Sequence, residues 1–320
     1  MKTRFPQFYH LIILFFFLSS SIAYPQFESV DAKVKLYPKT FSRTEDLSAK
    51  INHDFSRDDE RARAIFTWIA LNIRYDLNEY ITGSSVAYSY SSPEDKIEKE
   101  KKYRLTLVNK TLKSGKAVCE GYASLFTNLC AQSGIEAVII AGTSRNHYSL
   151  IGKLPKQSDH AWNAVKLNGQ WRLVDVTWAA GVVDDQGFKK VFNDAYFMTP
   201  PDKFFHTHYP DDPKWLLTTK TPEDFANQAF YYPTYVKSNF KFNINSGVVK
   251  FVKNLPVEFK VENLKPTDRV YYITSRDNTL DRVAVDDQNK FLIYPSAKLT
   301  GYLTIFINEK PIVSYKIARS

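Results

Sequence analysis

The chain has 320 residues, of which 44% are apolar and 24% are charged, and its formal net charge is +9. Its 23 Phe, 20 Tyr and 5 Trp residues exclude an intrinsically disordered chain, and its two cysteines exclude a disulfide scaffold. Basic and acidic residues are interleaved, as in residues 95–101, so the sequence predicts no nucleic-acid partner. The length suits one enzyme-sized domain with a smaller companion.

The first 23 residues have the features of a secretory signal peptide. Lys2 and Arg4 precede an apolar run over residues 11–18, and small residues follow up to Ala23. The run is shorter than the ~20 apolar residues of a membrane span, so we expect cleavage after Ala23 and no stable span in the mature chain. Cleavage removes two basic and no acidic residues, which lowers the charge to +7. The mature protein is expected outside the cytoplasm: in the periplasm, on the cell surface or secreted.

Helical periodicity predicts two helices in the first half of the chain. In the first, over residues 56–76, Ser56 is placed to form a cap together with Asp59. The second begins at Cys119 and stops at Gly134, because glycine suits a helix C-terminus. Residues 77–116 between them are polar and rich in Tyr and Ser, which predicts a long surface excursion with one short exposed helix.

Three strands are predicted next, over residues 135–141, 160–167 and 170–178, and the last two are joined by a turn at Asn168-Gly169. Counting outward from this turn places Trp162 opposite Asp175 and His160 opposite Thr177. His160 and Asp175 then become diagonal neighbours on one face of the hairpin. A carboxylate beside an imidazole orients the ring and stabilises the imidazolium, as a general base requires.

The amino-acid composition changes in the last third of the chain. Residues 200–232 are rich in proline and predict an irregular wrap across the first domain. Short alternating runs follow, which predict about seven strands and a β-sandwich of immunoglobulin-like type. The predicted organisation is a signal peptide at 1–23, a first domain at 24–232 and a β-sandwich at 233–320.

Cys119 is the candidate nucleophile, because a helix N-terminus favours the thiolate form of a cysteine. Cys130 lies eleven residues further along the same predicted helix, about 16 Å away at 1.5 Å per residue, too far for a disulfide. We therefore expect two free thiols. An unpaired thiol in a secreted protein needs a reason, and catalysis is one.

The sequence around these residues resembles the transglutaminase-like superfamily, whose papain-like core carries Cys, His and Asp in this order. The matching segments are VCEGYA at 118–123, HAWNAV at 160–165 and WRLVDVTW at 171–178. Residues 63–69 and 206–215 make the chain look most like the kyphoscoliosis-peptidase branch. Val176 departs from the pattern, since the family often has Pro there. The resemblance implies an α+β fold, in which a helix carrying the Cys packs on an antiparallel sheet, followed by the C-terminal β-sandwich.

By the same resemblance, Cys119 is the nucleophile, His160 is the base and then the acid, and Asp175 orients His160. The implied reaction is acyl transfer on an amide through a thioester, which water or an amine resolves. For the oxyanion, the backbone N–H of Cys119 and the side chain of Tyr75 are candidates. Supporting roles are assigned to Glu120 and Asn163.

No cofactor and no metal are predicted. His206 and His208, with Asp211 or Asp212, are too few clustered ligands for a metal site, and we expect them to be structural. Trp162, Trp171 and Trp178 are expected to flank or underlie the triad, because aromatic residues alternating on strands usually belong to the core.

The sequence therefore favours a secreted thiol enzyme, most readily a peptidase or amidase, acting on a protein, a peptide or a cell-envelope polymer. Two alternatives stay open. One is a protein-crosslinking transglutaminase, although the sequence carries no recognisable calcium motif. The other is a catalytically silent binding or scaffolding protein of the extracytoplasmic surface, because function does not follow from fold.

Overall fold

The computed structural model describes residues 27–83, 89–156, 158–277, 279–296 and 299–319. The predicted signal peptide at 1–23 lies outside these residues. Within them, no helix combines the length and the apolar character needed to cross a membrane.

The helices of the described residues lie almost entirely before residue 240. In chain order they are α1 Glu28–Val34, α2 Thr44–Asp54, α3 Asp58–Asn72, α4 Leu77–Thr82, α5 Pro93–Ser114, α6 Cys119–Gln132, α7 Val176–Ala180, α8 Pro201–Phe204, α9 Pro222–Asn227 and α10 Pro233–Lys237.

Helix α3 begins later than the sequence predicts. Its N-cap is Arg57, which makes no side-chain capping bond, so the predicted cap by Ser56 is wrong. Three acidic residues fill the first turn instead, where negative charge interacts favourably with the N-terminal end of the helix dipole. One face of α3 carries Ile65, Phe66 and Ile69, all fully buried in the first core.

The prediction for residues 77–116 is also wrong. Instead of a loop with one short helix, the described part of this segment holds α4 and the 22-residue helix α5. Ser92 caps α5 through the Asp95 N–H, and Pro93 occupies its first position. Helix α5 packs against the rest of the protein through Leu107, Val108 and Leu112. The many charged residues on its solvent-facing side make this apolar pattern difficult to recognise in the sequence.

Ten strands lie before residue 232 in the described residues, and nine of them form one central sheet and two small ones. They are β1 Arg74–Tyr75, β2 Lys116–Ala117, β3 Ala137–Ser144, β4 His160–Leu167, β5 Gln170–Val174, β6 Gly181–Asp184, β7 Gly187–Lys190, β8 Phe197–Thr199, β9 His208–Pro210 and β10 Phe230–Tyr231. The central sheet is antiparallel, in the order β8-β5-β4-β3-β9.

The predicted hairpin is present. Leu167 pairs with Gln170 around a turn in which Asn168 and Gly169 have positive φ angles of 52° and 74°. The second arm ends at Val174, however, and residues 176–180 form helix α7. The pairing of His160 with Thr177 is therefore wrong, and Asp175 stands at the N-cap of α7, where its side chain accepts the Trp178 N–H.

The segment after residue 200 is more ordered than the predicted irregular wrap. It contributes β9, a three-residue strand that pairs with β3 and matches Ser144 with His208. This short strand forms one edge of the central sheet and carries a histidine into the interior of the first core.

The C-terminal part holds two packed β-layers. Its strands are β11 Lys241–Phe242, β12 Val248–Phe251, β13 Val257–Glu262, β14 Val270–Thr274, β15 Asp281–Arg282, β16 Lys290–Ile293, β17 Tyr302–Ile307 and β18 Lys310–Arg319. One sheet has the order β10-β18-β17-β14-β15 with β12 also on β18, and the other has the order β11-β13-β16. Phe259 and Val261 of the second sheet share a core with Leu303 and Ile305 of the first.

Helix α6 packs on the central sheet, and Asn163 of β4 makes the contact specific. Its Nδ2 lies 3.1 Å from Ala123 O and 2.9 Å from Thr127 Oγ1, both on α6. The predicted fold class is confirmed: an α+β unit with the cysteine-bearing helix on an antiparallel sheet, followed by a β-sandwich. The division at residue 233 stays a prediction, and β10 already pairs with β18 before it.

Candidate active site

Cys119 is the first residue of α6 and is half-buried. The N-cap, Val118, has no side chain able to accept a hydrogen bond, so no side chain caps the first turn. The first N–H groups of a helix lack intrahelical acceptors and carry partial positive charge. The thiol therefore sits beside backbone donors that favour an anion.

Gly121 allows this helix start to approach α5. A Cβ at this position would lie 2.7 Å from both Ala117 Cβ and Thr111 Oγ1, closer than side-chain atoms tolerate. The glycine in the Cys-Glu-Gly sequence thus has a packing reason, and it fixes where Cys119 lies relative to α5.

His160 and Asp175 meet beneath this helix start. His160 Nε2 lies 2.7 Å from Asp175 Oδ2, and both side chains are buried. His160 is the first residue of β4, and Asp175 directly follows β5, so the hairpin register brings the two together. Because Nε2 is engaged by Asp175, Nδ1 is the ring nitrogen left to serve Cys119, whose side chain hydrogen-bonds with His160.

The contact between His160 and Asp175 changes the pKa of both side chains. Burial alone lowers the pKa of His160, but the charge of Asp175 and hydrogen bonds with Asp175 and Cys119 outweigh burial and raise it to about 10. Burial alone raises the pKa of Asp175, but His160 and then His208 outweigh it and hold the pKa of the carboxyl well below its usual range. The pair is therefore a buried imidazolium and carboxylate at neutral pH.

His208 is the member of the cluster that sequence reasoning missed as a site residue. Its Nε2 lies 2.9 Å from Asp175 Oδ2, the same oxygen that His160 contacts. Its Nδ1 lies 2.8 Å from Thr207 Oγ1. Burial, as the largest effect, lowers the pKa of His208. The only signal in the sequence was its place in the 206–215 segment that supports the family resemblance.

Two of the three predicted tryptophans surround the cluster. The Trp178 ring centroid lies 5.7 Å from that of His160 and 4.7 Å from that of His208. Trp162 lies 6.0 Å from His160 by the same measure and is buried. Trp171 is elsewhere, in edge contact with Trp215 at 5.0 Å, so its predicted place beside the triad is wrong.

Tyr75 lies on β1, which pairs with β2 just before Cys119. Burial and then the nearby Cys119 raise the pKa of the Tyr75 phenol above its usual range, so the hydroxyl remains a hydrogen-bond donor. This location is compatible with the predicted oxyanion role. The role itself stays a prediction.

The two predicted supporting residues have different surroundings. Glu120 accepts a hydrogen bond from Tyr103 of α5 at 3.2 Å, which ties α5 to the start of α6. Asn163 is buried, and its Nδ2 bridges α6 to Val138 O of β3 at 3.1 Å. Both residues position the helix start, and neither makes a described hydrogen bond to Cys119, His160 or Asp175.

Cys130 provides an internal contrast. Both thiols are free, but Cys130 is fully buried, and burial raises the pKa of its thiol well above its usual range. Only the thiol at the start of α6 is placed to react.

The spacing of this cluster would also suit metal ligands, because His160, Asp175 and His208 offer ligand atoms within 4.8 Å of one another. Each facing atom already makes a hydrogen bond inside the cluster, and the second nitrogen of His208 is taken by Thr207. A hydrogen-bonded network thus accounts for the arrangement.

His206 and His208 do not converge on one point. His206 Nδ1 lies 2.6 Å from Gln228 Oε1, and burial lowers the pKa of His206 to about 4. Asp211 and Asp212 are exposed and form no ligand cluster with either histidine in the described residues.

Comparisons with known proteins show which family the chain resembles. The profile of the Transglutaminase-like superfamily matches residues 44–176. The chain is 28% identical to the human Kyphoscoliosis peptidase over 295 residues, which cover 90% of this chain and 42% of that protein. It is 29% identical to the Mus musculus protein of the same name over 287 residues, with coverages of 88% and 40%.

Two further similarities are more distant. The Caenorhabditis elegans Lim and transglutaminase domain protein ltd-1 is 28% identical over 242 residues, covering 70% of this chain and 28% of that protein. A crystal structure of a TGase matches with a TM-score of 0.30 and 14% identity, covering 57% of this chain and 40% of that one.

The chain spans about two-fifths of the length of the kyphoscoliosis peptidases that it matches. The matched profile ends at Val176 and so includes the cysteine, the histidine and the aspartate of the cluster. The predicted resemblance is confirmed: residues 44–176 match the model of the Transglutaminase-like superfamily, and the similarity is consistent with the kyphoscoliosis-peptidase branch.

Proposed function

We propose that this protein is a thiol enzyme that performs acyl transfer on amide bonds and releases the product by hydrolysis. The observation that carries the proposal is the convergence of Cys119, at an uncapped helix start, with an imidazole that a buried carboxylate holds. In this arrangement Cys119 is the nucleophile, His160 transfers protons and Asp175 orients His160.

The first half of the reaction forms a thioester. The Cys119 thiolate attacks the amide carbonyl, and the carbonyl oxygen takes the negative charge. His160 gives its Nδ1 proton to the leaving amine as the C–N bond breaks. Asp175 keeps its contact with Nε2 throughout, so the ring does not rotate away from the sulfur.

The second half regenerates the thiol group. Water attacks the thioester, neutral His160 takes a proton from that water on Nδ1, and the C–S bond breaks to restore the thiolate beside an imidazolium. The backbone N–H of Cys119 is a suitable donor to the oxyanion in both halves, because it is the first residue of the helix. The Tyr75 hydroxyl is proposed as a second donor.

Hydrolysis is proposed over crosslinking on two grounds. The most similar relatives reported above carry the name peptidase. His160 is also buried beside Trp162 and Trp178, so we propose that water reaches its Nδ1 more readily than the amine of a second polypeptide does. The proposed substrate is a protein, a peptide or a cell-envelope polymer.

Export is a separate proposal that depends on the first 23 residues alone. Lys2, Arg4 and the apolar run up to residue 18 support cleavage after Ala23. Intact-mass measurement of the protein after expression with a secretion system tests this. A product beginning at Tyr24 is expected, and an uncleaved product from a secretion-competent host contradicts the proposal.

The reaction is tested with the mature chain and a panel of peptides that includes glutamine-containing ones, with and without a fluorescent primary amine. We expect peptide or amide hydrolysis that Cys119→Ala abolishes and that the matched Cys130→Ala variant retains. Amine incorporation that outpaces hydrolysis would instead support the crosslinking alternative. Turnover that Cys119→Ala leaves unchanged would refute the triad.

A further inference from the structure

The Asp175 carboxylate is held by more donors than a triad requires. Oδ1 accepts the Trp178 backbone N–H at 2.9 Å, and Oδ2 faces both His160 Nε2 at 2.7 Å and His208 Nε2 at 2.9 Å. All three partners approach a side chain with no solvent exposure. We infer that His208 is a positioning residue of the proposed triad, holding the shared oxygen of Asp175 and thereby the ring of His160.

His208 is itself rigidly placed. Its backbone pairs with Ser144 through the β9–β3 register, and its ring stacks on Phe204 with centroids 3.9 Å apart. The Thr207 hydroxyl contacts its Nδ1 at 2.8 Å. A side chain held on three sides in the core keeps one geometry toward Asp175.

The hydrogen-bond pattern assigns the tautomer of His208. An ionised carboxylate only accepts hydrogen bonds, so Nε2 must carry a proton. Burial favours the neutral ring, and Nδ1 is then the acceptor for the Thr207 hydroxyl. His208 therefore presents a neutral N–H to Asp175, while His160 presents a charged one.

A neutral donor on the shared oxygen has a chemical consequence. It withdraws negative charge from the oxygen that contacts the His160 imidazolium. Asp175 therefore stabilises the positive charge of His160 less strongly. It also keeps the carboxylate satisfied after His160 has given its proton to the leaving group. Without His208, Asp175 is the more basic partner, and His160 is the weaker acid.

Other titratable groups face the cluster from each element packed against it, and each stays unchanged in the variants below. They are Cys119 and Tyr122 on α6, Tyr75 on β1, Asp159 before β4 and Tyr196 before β8.

The inference rests on the proposed function, and two alkylating reagents test them separately. Iodoacetate is an anion and is attracted by the His160 imidazolium, whereas iodoacetamide is neutral. The ratio of their rates at Cys119 therefore falls at the pH where His160 loses its charge, near 10 in the wild-type protein.

The test variants distinguish the loss of the hydrogen-bond donor of His208 from the loss of its aromatic ring. His208→Phe keeps an aromatic ring against Phe204 but removes the donor, and His208→Gln keeps an N–H near the position of Nε2. His206→Phe is the matched control, because His206 is a half-buried histidine of the same segment bonded to Gln228 rather than to Asp175. If His208→Phe does not fold, Thr207→Val probes the same network by removing the hydroxyl that contacts His208 Nδ1.

In His208→Phe we expect the ratio of the iodoacetate to the iodoacetamide rate to fall at a higher pH than in the wild-type protein. In His208→Gln and His206→Phe it should fall close to the wild-type pH. A wild-type profile for His208→Phe, or equal shifts for Phe and Gln, would overturn the inference. His160→Ala separates the two proposals. A pH-dependent fall that persists in His160→Ala refutes the proposed function, whereas its loss there together with an unshifted His208→Phe refutes only the role of His208.

Discussion

Replacing Asp175 with asparagine is the perturbation whose effect can be worked out most fully. The side chain keeps its size but loses its charge and one of its two acceptor oxygens. One oxygen can still accept the Trp178 N–H, but the amide NH₂ then faces the Nε2–H groups of both His160 and His208. Donor meets donor, so the imidazolium of His160 loses its partner.

The size of the effect follows from the pKa of His160. Folding raises it from an ordinary 6.5 to about 10, which corresponds to about 5 kcal/mol at 1.36 kcal/mol per pH unit, as an order of magnitude. A pKa raised by folding adds stability that is fully present below pH 6.5 and is lost as the pH rises to about 10. The difference in unfolding free energy between wild type and Asp175→Asn is therefore largest near pH 6.

The assay is urea unfolding of both proteins at several pH values between 6 and 10. We expect the difference to shrink with rising pH, with a limiting slope of about 1.4 kcal/mol per pH unit for one proton. Asp287→Asn, at an exposed aspartate, controls for the change in net charge and should track wild type. A difference that stays constant across this range would refute the assignment of a buried imidazolium at His160.

Three further predictions concern the scaffold. In Gly142→Ala the new Cβ would collide with Tyr209 O of β9 and lie 2.5 Å from Trp162 Cη2, so β9 must move; we expect a loss of about 1–3 kcal/mol in urea unfolding, and an unchanged midpoint would contradict the close packing. Arg63→Leu leaves Asp31, which Arg63 contacts at 2.9 and 2.6 Å, buried without its cation; a loss of about 3–5 kcal/mol is expected, part of which a second change at Asp31 to leucine should restore. Asn163→Leu leaves the acceptors on α6 and β3 without their donor and should lower the free energy of unfolding by about 1–3 kcal/mol, measured by thermal or urea unfolding. An unchanged free energy of unfolding would show that these hydrogen bonds make no net contribution to stability.

The parts of the fold set by local chemistry could be predicted from the sequence. The Asn168-Gly169 turn demands positive φ angles, and this fixes the register of β4 against β5 and brings His160 near Asp175. Gly134, with a φ of 71°, ends α6 where expected. These features depend on neighbouring residues only, which is why spacing alone reveals them.

The parts that were missed have three different causes. The end of β5 at Val174 is set by Asp175, whose side chain caps α7 and so turns the chain out of the strand. Strand β9 has three residues and one proline, too few to show any periodicity, yet it pairs with β3 and places His208 beside Asp175. The full length of helix α5 was not predicted, because its apolar residues are few and its exposed face is densely charged.

The central claim is that Cys119 reacts as one half of a pair with His160. The most direct measurement is the rate of iodoacetamide alkylation at Cys119 and Cys130 as a function of pH, by mass spectrometry, on the folded mature protein and on His160→Ala. An unassisted thiol is only about 0.3% ionised at pH 6. The account predicts rapid alkylation of Cys119 at pH 6, little of Cys130, and loss of the difference in His160→Ala. Equal and slow alkylation of both cysteines at pH 6, unaffected by His160→Ala, would contradict it.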